Sequence, residues 1–383
     1  MNHEPDFAKL FVCKAREIFG DEFMPLHRPV FVGHEKDYVA ECIDSNFVSS
    51  VGQRVIDFEQ QIATFVGAGH GVATVNGTAA LHVALRLVSV QKNDEVLTQA
   101  LTFIATCNAI SYCNAHPVFV DVDRDTLGMS PAALLSFLEA HAEVRGDGCW
   151  NLQTGRRISA CIPMHTFGIP CRINEIQKIC GEWRIPLIED AAEALGSYAR
   201  GHHVGTFGAV GTFSFNGNKI ITTGGGGMIV TDDEAIEHRA KHLTTTAKVP
   251  HPYEYVHDET GYNYRLPNLN AALGCAQMEK LEWMLAQKRE VTQRYREFFD
   301  AAGVEMIKPL AGDVANNWLN AIVLNSRAER DEFLEYTNSQ GVMTRPIWRL
   351  MSELPMFKDA QHDGLEQSKW LEERVVNVPS SVP

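Results

Sequence analysis

Gly211-Thr-Phe-Ser-Phe-Asn-Gly-Asn-Lys-Ile-Ile-Thr-Thr-Gly-Gly-Gly-Gly-Met228 is the stretch around which the chain is organised. The apolar run Val210–Phe215 reads as a strand, the polar Asn216-Gly217-Asn218 breaks it, and Lys219 follows at the strand exit. A second apolar run, Met228–Val230, begins after four glycines, so Lys219 is expected in a loop between two strands. Side chains are missing over the glycine run, which lets backbone or a planar ligand come close. A lone surface lysine is the ordinary reading of any lysine. Here the flanking residues are mostly apolar, and an amine kept among apolar groups is a candidate for Schiff-base chemistry because its charged form is disfavoured.

Upstream, the pattern is strand then helix, repeated. Gly71–Val75 reads as a strand, Asn76-Gly77-Thr78 as a turn and Ala79–Val88 as a helix. Glu95–Thr98, Pro117–Val122, Ala160–Met164 and Pro186–Glu189 read as strands, alternating with helices over Thr102–Cys113 and Ile173–Trp183. This alternation predicts an α/β domain with a large, mostly parallel sheet whose ligands gather at the carboxyl ends of strands, where Thr78, Phe103, Asp190 and Ser214 fall. A helix opening at Gly-Thr leaves free N–H groups for an anion, although such a turn is also an ordinary cap and lacks P-loop spacing. Gly146–Arg157, polar and glycine-bearing, reads as a surface excursion. Helices are expected near Phe7–Phe19, Glu35–Ser45 and Arg54–Val66, a long helical pattern over Leu273–Ala301, then a strand at Asn320–Leu324, a helix at Ala328–Gln340 and a proline-punctuated end. The expected division is a helical extension over 1–24, a large domain over 25–272, and a connecting helix with a small α/β domain over 273–383.

Composition excludes several classes. The 383 residues carry a formal net charge of −14, which argues against a nucleic-acid partner and leaves local basic pockets open. No run approaches the roughly 20 apolar residues needed to cross a bilayer. Residues 1–6 lack a basic leader, and a cytoplasmic protein is expected. The nine cysteines are odd in number and contain no Cys-x-x-Cys pair, which suits reduced core residues better than a disulfide framework or a zinc site. His202-His203 has no further ligands at a recognisable spacing, so no metal is expected.

A lysine among apolar residues, an acid at a strand end, a Gly-Thr helix start and an aromatic residue are the requirements of pyridoxal phosphate. In order along the chain, Val75-Asn-Gly-Thr-Ala-Ala-Leu81, Leu101-Thr-Phe-Ile-Ala-Thr106, Ile188-Glu-Asp-Ala-Ala-Glu193, Thr212-Phe-Ser-Phe-Asn-Gly-Asn-Lys219 and Gly261-Tyr-Asn-Tyr-Arg265 together resemble the DegT/DnrJ/StrS aminotransferases. These are pyridoxal phosphate enzymes of fold type I acting on nucleotide-linked keto sugars. The resemblance implies that Lys219 carries the cofactor, that Asp190 pairs with its ring nitrogen and that Glu193 meets its phenolic oxygen, where many relatives have glutamine. It implies Phe103 stacked on the ring, with Gly77, Thr78, Ala79 and Ser214 on the phosphate. Asn263, with Arg265, is implied to reach across from a second subunit, giving a homodimer with shared sites.

Gly225 stands where many relatives have glutamate. Phe23–Pro29, Asn46–Gly52 and the Gly146–Arg157 excursion are similar to the LegC-like subgroup. That similarity implies amination at C4 of a nucleotide-linked 2-acetamido-2,6-dideoxy-4-keto-hexose, with L-glutamate as donor, on the way to legionaminic-type acids. His165 is read either as approaching the cofactor or as a hydrogen-bonded core histidine. For Arg345 the reading is a structural ion pair, with contact to a substrate phosphate or carboxylate as the alternative. Two rivals remain at this stage. A sugar dehydratase of the same fold would carry histidine in place of Lys219, and a silent cofactor-binding regulatory protein would keep the site without turnover.

Overall fold

The computed structural model describes residues 7–146 and 148–383; the reading of residues 1–6 as lacking a leader lies outside the described residues, as does Asp147 within the expected excursion. The strands His70–Thr74, Gly227–Thr231, Val210–Ser214 and Ile188–Asp190 are neighbours in that order. Parallel bridges Cys161–Leu187 and Met164–Asp190 continue the sheet to Arg157–Ile162, then Glu95–Gln99 and His116–Val120, all parallel. Gly227–Thr231 is the exception, running antiparallel to both its neighbours. The loop after Ser214 returns the chain directly beside the strand it left, and a return without a crossover helix must be antiparallel.

Helices pack both faces of this sheet. Gly77–Leu87 buries Ala80, Leu81, Val83, Ala84 and Leu85, an almost unbroken apolar surface that follows from its position against the strands it contacts. The excursion expected at Gly146–Arg157 is instead built into the sheet. Ala142–Arg145 pairs antiparallel with Gly148–Asn151, which pairs with Arg157–Ile162. Cys149 and Asn151 are fully buried, and Asn151 donates from Nδ2 to Glu95 Oε2 at 2.7 Å and Gln361 Oε1 at 2.6 Å. The polar composition that looks like a surface loop therefore includes a satisfied buried amide.

The expected long helix over Leu273–Ala301 is two helices, Asn268–Met278 and Leu281–Ala302, because the backbone leaves helical geometry at Lys280 (φ −107°, ψ −3°). The second ends at Gly303, whose φ of 68° is a left-handed stop. Beyond it a four-stranded antiparallel sheet forms in the order Glu305–Met306, Asn320–Val323, Val375–Val378, Arg345–Pro346. The N-terminal helix Phe7–Phe19 stacks Phe11 on Tyr295 and Phe299 at ring distances of 6.0 and 5.9 Å, closing a separate core under this lobe. None of the nine cysteines is bridged and eight are buried. Among the described residues, no helix is long and apolar enough to cross a membrane.

Candidate active site

The strand carboxyl ends and the small lobe enclose one cavity of about 720 Å³. Lys219, Asp190, Glu193, Ser214, Gly77, Thr78 and Phe103 all line it, although they lie on four separate stretches of chain. The sheet explains this convergence, because parallel neighbours open their loops on the same edge.

Lys219 Nζ donates to Glu193 Oε1 at 3.0 Å and lies 3.9 Å from the centroid of the Trp318 indole. Its surroundings are thus a carboxylate and an aromatic face, more polar than the mostly apolar flanking sequence suggests. Glu193 is itself buried; its other oxygen accepts from Phe167 N–H at 2.9 Å. Burial pushes the Glu193 carboxyl above its ordinary value, with the Lys219 ammonium opposing that shift. Phe167 reaches its donor position with φ 57° and ψ 18°, a left-handed conformation that costs a non-glycine residue roughly 1 kcal/mol or more. The reward is specific: its N–H orients Glu193, and its ring lines the cavity 5.0 Å from Trp348.

Asp190 is 2% exposed, at the end of its strand. Thr106 Oγ1 donates to its Oδ2 at 2.6 Å and Ala192 N–H to its Oδ1 at 3.2 Å. Burial raises its carboxyl from the ordinary value, and the Thr106 and Ala192 bonds and the Lys219 charge only partly compensate. A cation placed over that carboxylate from the cavity side would complete its neutralisation, as a protonated ring nitrogen would.

At the other wall, Gly77 opens the helix Gly77–Leu87 after Asn76, whose Oδ1 accepts from Ala79 N–H at 2.8 Å. A Cβ on Gly77 would lie 2.8 Å from Ser214 Cβ, so only glycine fits against that strand end. Among the described residues, the Gly77 and Thr78 N–H groups have no acceptor, and both residues face the cavity. With the Ser214 hydroxyl beside them they form a cradle for a phosphate at a helix N-terminus. Ala79 differs from its neighbours, since its N–H is already taken by Asn76. The cradle, the buried acid and the lysine at the cavity therefore fit pyridoxal phosphate.

Two expected residues are not brought to this cavity within one chain. Asn263 is exposed and bridges Thr245, while Arg265 Nη1 is tied to Glu59 Oε1 at 2.6 Å. His165 is a core histidine: it is fully buried, with Nε2 3.0 Å from Glu189 Oε2 and Nδ1 accepting from Cys171 N–H at 3.2 Å. His203 is likewise structural, accepting at Nε2 from Gly196 N–H at 2.8 Å. Arg345 makes no ion pair among the described residues; its guanidinium donates to Asn338 Oδ1 at 2.8 Å and to the Thr344 carbonyl at 2.9 Å, at the cavity wall.

Apart from Arg345, sequence reasoning missed the small-lobe side. Trp318 lies under Lys219, Trp348 faces Phe103 at 6.2 Å, and Arg349 lines the cavity with no acidic partner among the described residues. No local motif marks them, since their roles depend on how the lobe folds back over the sheet.

Comparison with known proteins agrees in extent and kind. The model of the DegT/DnrJ/EryC1/StrS aminotransferase family matches residues 31–383. The chain is similar to EpsN of Bacillus subtilis (strain 168), assigned as a pyridoxal phosphate-dependent aminotransferase, at 38% identity over 88% of this chain and 84% of EpsN. It is similar to GDP-perosamine synthase of Escherichia coli O157:H7 at 35% identity, over 94% of this chain and 93% of that enzyme. Among solved structures, the aminotransferase TlmJ of Streptoalloteichus hindustanus superposes with a TM-score of 0.84 at 25% identity, covering 94% and 93% of the two chains.

Proposed function

We propose that this chain, which belongs to the DegT/DnrJ/EryC1/StrS aminotransferase family and is a pyridoxal phosphate-dependent aminotransferase of fold type I, transfers an amino group from L-glutamate to C4 of a nucleotide-linked 4-keto-6-deoxy hexose. The observation that carries the reading is the convergence of Lys219, Asp190, Glu193 and the Gly77–Ser214 cradle on one cavity. Pyridoxal phosphate, when bound, supplies an electron sink for charge developing at the donor Cα. Lys219 would anchor the cofactor and, once released, would take the proton from the donor Cα and, in the reverse half-reaction, deliver one to C4 of the sugar. Asp190 keeps a proton on the ring nitrogen, Glu193 meets the phenolic oxygen, Phe103 covers the ring, and Gly77, Thr78 and Ser214 hold the phosphate.

The finer substrate reading combines two kinds of support. Similarity to a GDP-perosamine synthase favours an amino sugar made on a nucleoside diphosphate, and the segments Phe23–Pro29 and Asn46–Gly52 favour a 2-acetamido sugar of the legionaminic type. A homodimer is part of the reading. Phe31, Phe47, Val51 and Ile56 are 53%, 58%, 72% and 56% exposed on neighbouring segments, an apolar surface of the kind a second copy covers. In that assembly Asn263 and Arg265 complete the partner's site, the enzyme works in the cytoplasm, and the large and small domains divide near residue 272.

The test is the near-visible absorption of the purified protein before and after L-glutamate. Loss of the band of lysine-bound cofactor on adding glutamate establishes the donor half-reaction. GDP- and UDP-linked 4-keto sugars, with and without the 2-acetamido group, then identify the acceptor by restoring the band. A band indifferent to glutamate would remove the donor assignment, and no band at all after adding cofactor would remove the site.

A further inference from the structure

The proposed reaction leaves Lys219 free as an amine for part of every cycle, and two groups stand beside that amine. Its Nζ lies 3.9 Å from the Trp318 ring centroid, opposite the Glu193 carboxylate at 3.0 Å. Trp318 is 3% exposed and fixed at three points. Its indole N–H donates to the carbonyl of Asn218, the residue before the lysine, at 2.6 Å; its backbone N–H donates to Asn316 Oδ1 at 2.9 Å; and its carbonyl accepts from Lys288 Nζ at 3.0 Å.

Lys288 is the unusual member. It is 1% exposed, lies on the helix Leu281–Ala302, and also donates to the carbonyls of Asn317 at 3.4 Å and Ser380 at 2.5 Å. No carboxylate pairs with it among the described residues. Burial pushes its ammonium down to about 7, against which three carbonyl acceptors favour the charged form. His27 lies in the same region, and burial together with the Lys288 and Lys219 charges holds its ring well below its ordinary value, with the Asn218 backbone opposing that shift. A lysine buried at such cost, without a counter-ion, is poor economy for stability alone. Its three bonds instead clamp the 316–318 turn and the C-terminal segment at the place where Trp318 meets Lys219.

We propose that the Trp318 indole is the seat of the free Lys219 ammonium, and that Lys288 is a positioning residue that holds this seat. This rests on the reading of Lys219 as the cofactor's anchor. A cation over a desolvated indole face is stabilised, so the seat holds the released lysine in place between half-reactions. Together with Glu193 it also fixes the distance through which Lys219 swings when it re-engages the cavity.

The test reads the lysine, not turnover. Full-length protein freed of cofactor is reductively methylated with formaldehyde and cyanoborohydride near pH 7, and modification of Lys219 is followed by mass spectrometry against the exposed Lys92 in the same sample. The reagent reaches the amine when it leaves the indole face, so losing the indole raises the rate. Trp318→Leu is expected to label Lys219 about three- to thirtyfold faster, with Trp318→Phe in between. Lys288→Met is expected to move labelling the same way by about two- to fivefold, since the indole remains but loses its clamp. Circular dichroism confirms folding of each variant, and Trp318→Phe serves if Trp318→Leu does not fold. Unchanged labelling in the tryptophan variants overturns the seat. Unchanged labelling in Lys288→Met, with the tryptophan effect intact, overturns the role of Lys288. Failure of the cofactor reading is distinguishable, because it shows as a missing absorption band in the wild-type protein and leaves this measurement standing.

Discussion

The two walls of the cavity were written into the chain in different ways. The sheet wall, with Asp190, Glu193, Ser214 and Lys219, comes from strand ends separated by short apolar runs, so its chemistry sits at positions the sequence pattern marks. The small-lobe wall, with Trp318, Trp348, Arg345 and Arg349, comes from turns and a short edge strand whose residues meet the sheet only after the chain folds back across some 100 residues, as the Trp318–Asn218 bond illustrates. In the proposed function, reaction chemistry is concentrated on the first wall. The second carries guanidinium groups and aromatic faces, which recognise and hold. In a chain of net charge −14, arginines without acidic partners among the described residues make this wall of the cavity locally positive, which suits the anionic group of the proposed substrate.

If that division of labour holds, the largest effect lies on the sheet wall. Lys219→Ala should abolish the near-visible band and reduce amino transfer by about 10³-fold or more, with little loss of stability, because the side chain supports no packing beyond Trp318 and Glu193. Asp190→Asn comes next, with a loss of about 10²–10³-fold in the glutamate half-reaction measured by stopped-flow absorbance. Its effect on stability has the opposite sign. Burial holds the Asp190 carboxyl above its ordinary value, so its ionised form costs folding free energy in full at pH above the raised folded value, and that cost shrinks as the pH falls through the folded value and is gone below the unfolded one. Cofactor-free Asp190→Asn should therefore melt about 1–3 °C higher than wild type at neutral pH, and the difference should close in acid. A stability loss at neutral pH would show that the carboxylate is paid for by contacts within the protein.

The same contrast explains what was legible. Val210–Ser214 and the glycines after Lys219 declared a strand, a loop and a returning strand from composition alone, and the structure has each. Direction was not legible: parallel and antiparallel strands have the same apolar content, and only the short return decides. The strand Gly148–Asn151 was invisible because its one polar core residue, Asn151, is satisfied by Glu95 and Gln361, the latter 210 positions away. Phe167 escaped for a related reason, since nothing in a phenylalanine announces a left-handed backbone. Local pattern reports what a segment does to its neighbours in sequence. It is silent where a residue's partner is supplied by another element.

On the second wall the expected effects are smaller and fall on binding. Arg349→Ala should raise KM for the nucleotide-linked sugar about tenfold, leave the glutamate half-reaction within about twofold, and reduce the salt dependence of kcat/KM. An equal loss in both half-reactions would mean that this wall also takes part in donor chemistry, and the comparison between the walls would fail.

The smallest effect is expected at the seam, in the glycine run itself. Gly225, where many relatives of this family carry glutamate, has only the Val75 carbonyl within reach of an added Cβ, at 3.7 Å, which is ordinary contact. Gly227, two residues on, would place a Cβ 2.5 Å from the Asn76 carbonyl oxygen, a backbone atom that cannot yield without moving the turn that starts the phosphate cradle. Gly225→Ala should accordingly leave cofactor affinity and melting temperature nearly unchanged. Gly227→Ala should weaken cofactor binding about tenfold or more by prising Asn76 and Gly77 from the strand end. Fluorescence titration of the two variants with cofactor separates close approach of backbone, which requires glycine, from a run that is glycine without need. A strong loss in Gly225→Ala would place a contact at that position that the single chain does not contain, and the second subunit would be its source.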